Sequence, residues 1–158
     1  MNIKRSLFLA AAVLTTTIAI SAQETPRWLS AISPDGSKVV FCYQGDIFTV
    51  SSDGGRALQI TTNEAYDSDP IWTPDGKKIV FSSYRAGSKD IFITSAEGGA
   101  PKRLTDYPGN ETPLCVLDGN RVLFQANIQQ DALYGGYPGT PQIWQVDENA
   151  GRPRLVTS

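Results

Sequence analysis

Short apolar runs separated by polar turns recur along this chain with a period of about 40 residues. Ser33-Pro34-Asp35-Gly36-Ser37-Lys38-Val39-Val40-Phe41 is followed by Thr73-Pro74-Asp75-Gly76-Lys77-Lys78-Ile79-Val80-Phe81, and then by Leu117-Asp118-Gly119-Asn120-Arg121-Val122-Leu123-Phe124. A second landmark repeats behind the first: Asp46-Ile47-Phe48, Asp90-Ile91-Phe92 and Gln142-Ile143-Trp144. Each unit therefore predicts four short strands. The first is Ala31-Ile32, Pro70 to Trp72 or Pro113 to Val116, and it runs into the Asp-Gly turn. Pro presets φ there, Asp bonds its own backbone, and Gly accepts the positive φ of a tight turn. The second strand is Lys38 to Tyr43, Lys78 to Ser83 or Arg121 to Ala126. Its centre is a continuous apolar triplet, which suits a strand covered on both faces.

The third strand (Asp46 to Val50, Asp90 to Thr94, Gln142 to Val146) turns at Gly- and Asn/Asp-rich hairpins. The fourth (Leu58 to Thr61, Lys102 to Thr105, Arg154 to Thr157) closes the unit, and the polar linkers Thr62 to Asp69 and Asp106 to Thr112 lead to the next one. No 3.6-residue period of useful length occurs after the amino-terminal apolar run, so helix is not expected there. Four-stranded antiparallel repeats of this period predict an all-β fold of β-propeller blades. Three such blades, at about 28–61, 69–105 and 112–157, make an incomplete ring. The connection between second and third strands varies most. It is Gln44-Gly45 in the first unit, Tyr84 to Lys89 in the second, and Asn127 to Pro141 in the third, where it holds Tyr134-Gly135-Gly136-Tyr137-Pro138. Long loops on a rigid scaffold tend to carry contacts, so Tyr134 and Tyr137 are weak candidates for binding a peptide or partner.

Residues 1–22 change the picture of where the chain works. Lys4 and Arg5 precede an apolar run from Leu7 to about Ile20, with a small-residue cleavage point at Ser21-Ala22-Gln23. This pattern predicts a secretory signal peptide and an exported, periplasmic or secreted product. Of the 14 basic and 16 acidic residues, Lys4 and Arg5 fall in the leader, leaving 12 basic residues and a net charge of −4. That balance argues against nucleic acid or an anionic membrane surface as the partner. Cys42 and Cys115 belong to different strands of the first and third units, with Cys115 aligned to the slot of Trp72. Buried, unbridged strand cysteines are expected.

Candidate chemistry is sparse. The sequence has no histidine, which removes Ser-His-Asp and Cys-His arrangements and histidine-ligated zinc from these residues. Gly-Gly pairs at 54–55 and 98–99 belong to hairpin turns and not to a phosphate-binding loop. Carboxylates remain. Asp67 and Asp69 precede the innermost strand of the second unit and are weak candidates for contacts toward a central channel, or for satisfaction by nearby backbone amides. Asp46 and Asp90 should bond locally, and Asp35, Asp75 and Asp118 are turn residues. No catalytic residue, metal site or cofactor is expected.

Ser-Pro-Asp-Gly-x-Lys with an apolar pair and Phe, then Asp-Ile-Phe, Gly-Gly and an apolar-Thr ending, resembles the Pro-Asp-Gly "PD40" repeats of TolB-family propellers. The first two units match closely, and the third departs at Leu117, Gln142 and Ala150. The arrangement is most similar to the start of a secreted tricorn-like serine peptidase. In it a leader and Pro26-Arg27-Trp28-Leu29 run almost directly into the first unit, with no room for the α/β domain that precedes the TolB propeller. The resemblance implies a non-catalytic propeller that gates or docks peptides for a distant catalytic domain, whose catalytic residues have no counterpart here. The rival is a TolB-like periplasmic binding or scaffold propeller with no catalytic activity. Three blades leave two end faces unburied. The expected partners are therefore further blades of a longer chain, or a second copy joining three blades to three.

Overall fold

The computed structural model describes residues 29–118, 120–127, 141–149 and 151–157, and among them it contains strands and no helix. Twelve strands form three separate antiparallel sheets of four. The first blade is β1 (Leu29–Pro34), β2 (Lys38–Tyr43), β3 (Asp46–Ser51) and β4 (Leu58–Gln59). The second is β5 (Asp67–Trp72), β6 (Lys78–Ser83), β7 (Asp90–Ser95) and β8 (Lys102–Arg103). The third is β9 (Glu111–Leu117), β10 (Arg121–Ala126), β11 (Gln142–Asp147) and β12 (Arg154–Leu155). Each strand pairs with the next along the chain, so every blade is a simple meander. The first strands β1, β5 and β9 pack side by side, and the sheets fan out from that shared inner edge. Three unclosed propeller blades are what the repeat predicts.

The turns form as their residues dictate. Asp35 accepts from the amides of Ser37 (2.7 Å) and Lys38 (2.5 Å), and Gly36 takes φ +104°. In the second unit Asp75 accepts from the Lys77 amide at 3.1 Å and from the Thr73 hydroxyl at 2.6 Å. These local hydrogen bonds hold both carboxyls below the usual carboxylate range.

Two cores lie between the sheets. Val40, Cys42, Ile47 and Ile60 of the first blade meet Trp72, Ile79, Phe81, Phe92 and Ala96 of the second. Val80, Ile91, Ile93 and Leu104 of the second blade meet Val122, Phe124, Ala126, Trp144 and Val146 of the third. Alternation along β6 thus sends Ile79 and Phe81 to one core and Val80 to the other, so Ile79 to Ser83 are all buried. β2 and β10 have a neighbour on one side and bury alternate residues. The apolar triplet therefore records two-sided cover in the middle blade and an uncovered outer face in the end blades.

Two sequence expectations change. The inner strands β5 and β9 begin at Asp67 and Glu111, so residues read as linker belong to the sheets. Cys115 is exposed and does not occupy the slot of Trp72. Trp72 pairs with Ile79, whereas Val116 pairs with Val122, because the third Asp-Gly turn is one residue shorter. A one-residue slip moves a side chain to the other face of a sheet. Cys42 is buried, as expected.

Candidate functional site

The acidic residues that head the inner strands sit at the seams between blades. At the first seam the Asp67 amide donates to Gly45 O at 2.8 Å, and the Cys42 thiol donates to Asp67 O at 3.0 Å. At the second seam the Glu111 amide donates to Lys89 O at 2.8 Å, and the Ser82 hydroxyl donates to Glu111 O at 2.8 Å. Both acids therefore latch an inner strand to the preceding blade through backbone groups, and both are fully buried. A threonine precedes each by six residues. Thr61 Oγ1 accepts from the Ile47 amide and Thr105 Oγ1 from the Ile91 amide, both at 2.9 Å. Thr157 repeats the bond to Ile143 at 3.2 Å. These threonines fasten the end of each fourth strand to the third.

The side-chain chemistry of the two seams differs. Asp67 is held by Arg85, whose Nη2 lies 2.9 and 2.8 Å from the two carboxylate oxygens. The Arg85 guanidinium also lies over the rings of Phe81 (5.4 Å) and Phe92 (5.0 Å), which stack on each other. Opposite it, Asp46 accepts from Gln59 Nε2 at 2.9 Å. Burial, and then the negative charge of Asp67, raise the Asp46 carboxyl above its ordinary value. At the second seam the arginine is on the other side. Arg103 Nη2 lies 2.8 Å from Asp90 Oδ2, as an ion pair lacking hydrogen-bond alignment, while the Ser88 hydroxyl donates to Asp90 Oδ1 at 2.8 Å. Glu111 accepts from the Thr105 hydroxyl, and its Oε1 is buried with no hydrogen-bond partner among the described residues. Burial, reinforced by the charge of Asp90, pushes the Glu111 carboxyl up to about 7. Asp90 thus bonds locally through Ser88, as its position heading the third strand suggests, whereas Asp46 takes Gln59 from the neighbouring fourth strand.

Asp67 and Asp69 do not converge. Asp67 is enclosed with Arg85, whereas Asp69 has φ +53° at a bulge in β5 and remains partly exposed. The Ser68 hydroxyl donates to Asp69 Oδ2 at 2.7 Å, and Lys89 Nζ lies 2.8 Å from the same oxygen. Lys89 also donates to Thr112 Oγ1 at 3.2 Å, so it bridges the inner strands of the second and third blades. Tyr134 and Tyr137 lie outside the described residues. Among those described, no group of three or more His, Cys, Asp or Glu residues could hold a metal ion. Sequence reasoning passed over Arg85, Glu111 and the seam threonines. The six-residue spacing Thr61–Asp67 and Thr105–Glu111 was the available signal.

Residues 26–158 match the model of the tricorn protease N-terminal β-propeller domain. A tricorn protease homologue from Streptomyces coelicolor is 30% identical over 118 residues, covering 73% of this chain and 11% of the relative. A putative TolB from Agrobacterium tumefaciens superimposes with a TM-score of 0.67 and 25% identity, over 85% of this chain and 50% of that one. The crystal structure of the tricorn protease shares the fold, with a TM-score of 0.65 and 19% identity, over 80% of this chain and 13% of that one. The chain thus spans between a tenth and a half of the length of these relatives.

Proposed function

This chain belongs to the tricorn protease N-terminal β-propeller family, and from that premise we propose that it supplies blades to the propeller of an exported tricorn-like serine peptidase, gating or docking peptides for a catalytic domain elsewhere in a longer polypeptide. The observation that carries this reading is the contrast between middle and end blades. Phe41 and Phe48 stack at 5.8 Å, as Phe81 and Phe92 do at 6.1 Å, and Tyr43 meets Phe48 edge-on. In the middle blade that aromatic pair is buried against the preceding sheet. In the first blade it lies on the outer face and is only half-buried. On the third blade Leu114 and Val156 are exposed. Apolar faces of this kind fit further blades.

Export rests on the leader at 1–22, with three blades following it to residue 157. For contacts we assign Asp69 at the inner edge, Tyr134 and Tyr137 in the long third-unit connection, and Asp67 acting through Arg85. The likeness to TolB favours a second reading, a periplasmic binding or scaffold propeller without catalysis.

The size of the native polypeptide in its source cells separates the two. An antibody against residues 23–158 should detect a band several-fold larger than 17.1 kDa, and the purified band should cleave peptides. A band near 17.1 kDa would remove the peptidase reading. A larger band that contained only further blades would leave the binding propeller.

A further inference from the structure

The two seams are built on one plan, and the second lacks its counter-ion for the inner-strand acid. Four residues after Phe81 stands Arg85, which neutralises Asp67. Four residues after Phe124 stands Ile128. The seam's arginine is Arg103, drawn to Asp90 on the opposite blade. Glu111 is left with the Thr105 hydroxyl on one oxygen and nothing on the other among the described residues.

The charged and polar groups packed around Glu111 are few. β7 contributes Asp90 and the Ile91 amide, which favours the ionised carboxyl, and β8 contributes Arg103, already paired to Asp90. The turn before β7 contributes Lys89, whose carbonyl takes the Glu111 amide while its ammonium is turned to Asp69 and Thr112. β6 contributes the Ser82 hydroxyl, spent on Glu111 O. β10 places the neutral Ala126 opposite. Two fully buried carboxylates therefore share one arginine that is itself exposed, and the fully ionised arrangement leaves a buried negative charge without a counter-ion of its own.

We propose that Glu111 makes the seam between the second and third blades a proton-dependent latch, closed while its carboxyl carries a proton and loosened when it ionises. Loss of the proton to solvent leaves Glu111 and Asp90 both negative. The strain is relieved when the start of β9 leaves its seat, breaking the Glu111 amide bond to Lys89 O and the Ser82 bond to Glu111 O. At the first seam the fully buried acid, Asp67, is neutralised by Arg85, and the carboxyl raised there, Asp46, is only half-buried and takes the Gln59 amide, so that inner strand keeps its seat. The carboxyl's position near 7 sets the range in which the latch works, across mildly acidic to mildly basic pH. The device operates in either kind of propeller, because it depends only on the seam.

Hydrogen exchange of the complete protein, expressed as protection factors at pH 5.5 and pH 8, tests the latch. Protection of the segment containing the Glu111 amide should fall roughly tenfold between the two, while the segment containing the Asp67 amide stays level. Glu111→Gln, a neutral isostere, should flatten the response of the second seam. Equal behaviour of the two wild-type segments would overturn the proposal, and so would a pH response that persists in Glu111→Gln. The comparison of wild-type segments decides the matter even where the variant does not fold.

Discussion

At the first blade junction the arginine stands beside the inner-strand acid, Arg85 on Asp67, and Gln59 serves Asp46. At the second it stands one strand away, Arg103 on Asp90, and Glu111 has no cation of its own. The backbone latch is the same at both, the amide-to-carbonyl bonds Asp67–Gly45 and Glu111–Lys89 each measuring 2.8 Å. Burial is the largest cause of the upward shift at each seam, on Asp46 in the first and on Glu111 in the second, and in each the arginine is paired to the other carboxyl. Repeat proteins can hold a fold constant while redistributing charge, because each seam buries its own small set of groups.

The largest effect should come from removing the first seam's counter-ion. Arg85→Met leaves Asp67 buried and unpaired and strips the cation from Phe81 and Phe92, for a loss of about 3–5 kcal/mol in chemical denaturation of the complete protein. Arg103→Met should cost distinctly less, since Arg103 is more exposed and its ion pair is less well aligned. Equal losses would show the two arginines to be equivalent.

Next come the seam threonines. Thr61→Val and Thr105→Val each leave a buried amide, of Ile47 or Ile91, without its acceptor, for about 1–3 kcal/mol. Thr105→Val should cost more, because Glu111 is then left with no side-chain donor, whereas Asp46, which loses Thr61, keeps Gln59.

Stability should also depend on pH at one seam. The folded-state value of Glu111 lies above its ordinary 4.5, so the native state holds the extra proton between about 4.5 and about 7. The contribution is complete below 4.5 and is lost as pH rises through that window to about 7. Denaturation midpoints of Glu111→Gln should lack that fall, while Asp67→Asn, tested alongside, should retain it.

The smallest effect lies on the hairpin side of the blades. Lys38 reaches Glu97 at 3.5 Å with both groups exposed, and Lys38→Ala should change stability by less than about 0.5 kcal/mol. Lys78 at the equivalent position pairs with the mostly buried Glu148, and Lys78→Ala should be measurably worse.

Much of the fold could be read from residue order. The second strands run from Lys38, Lys78 and Arg121 to the residues expected, because an Asp-Gly turn fixes each start and an apolar triplet fixes each centre. The inner strands were legible only in part. Asp67, Ser68, Asp69 and Glu111 read as linker because no apolar residue stands among them to mark a strand, yet their backbone is secured by the neighbouring blade. Tertiary cover of that kind leaves no local mark. Cys115 was misplaced for a related reason: the one-residue shortening of the third turn reverses the face of every residue before it. Among the candidates, Asp69 stays near the inner edge as its position suggested, whereas Asp67 is enclosed by an arginine 18 residues away that no motif announces.

With its arginine drawn to Asp90, Glu111 is held by burial at about 7 in the folded seam and keeps its proton under mildly acidic conditions. The direct measurement is a pH titration of the carboxylic-acid C=O infrared band in the complete protein, taken as the difference between wild type and Glu111→Gln. A difference band that persists through pH 6 and disappears with a midpoint near 7 is the predicted result. A band already lost by the ordinary glutamate value of 4.5 would show Glu111 ionised throughout in the seam and leave the latch without its proton.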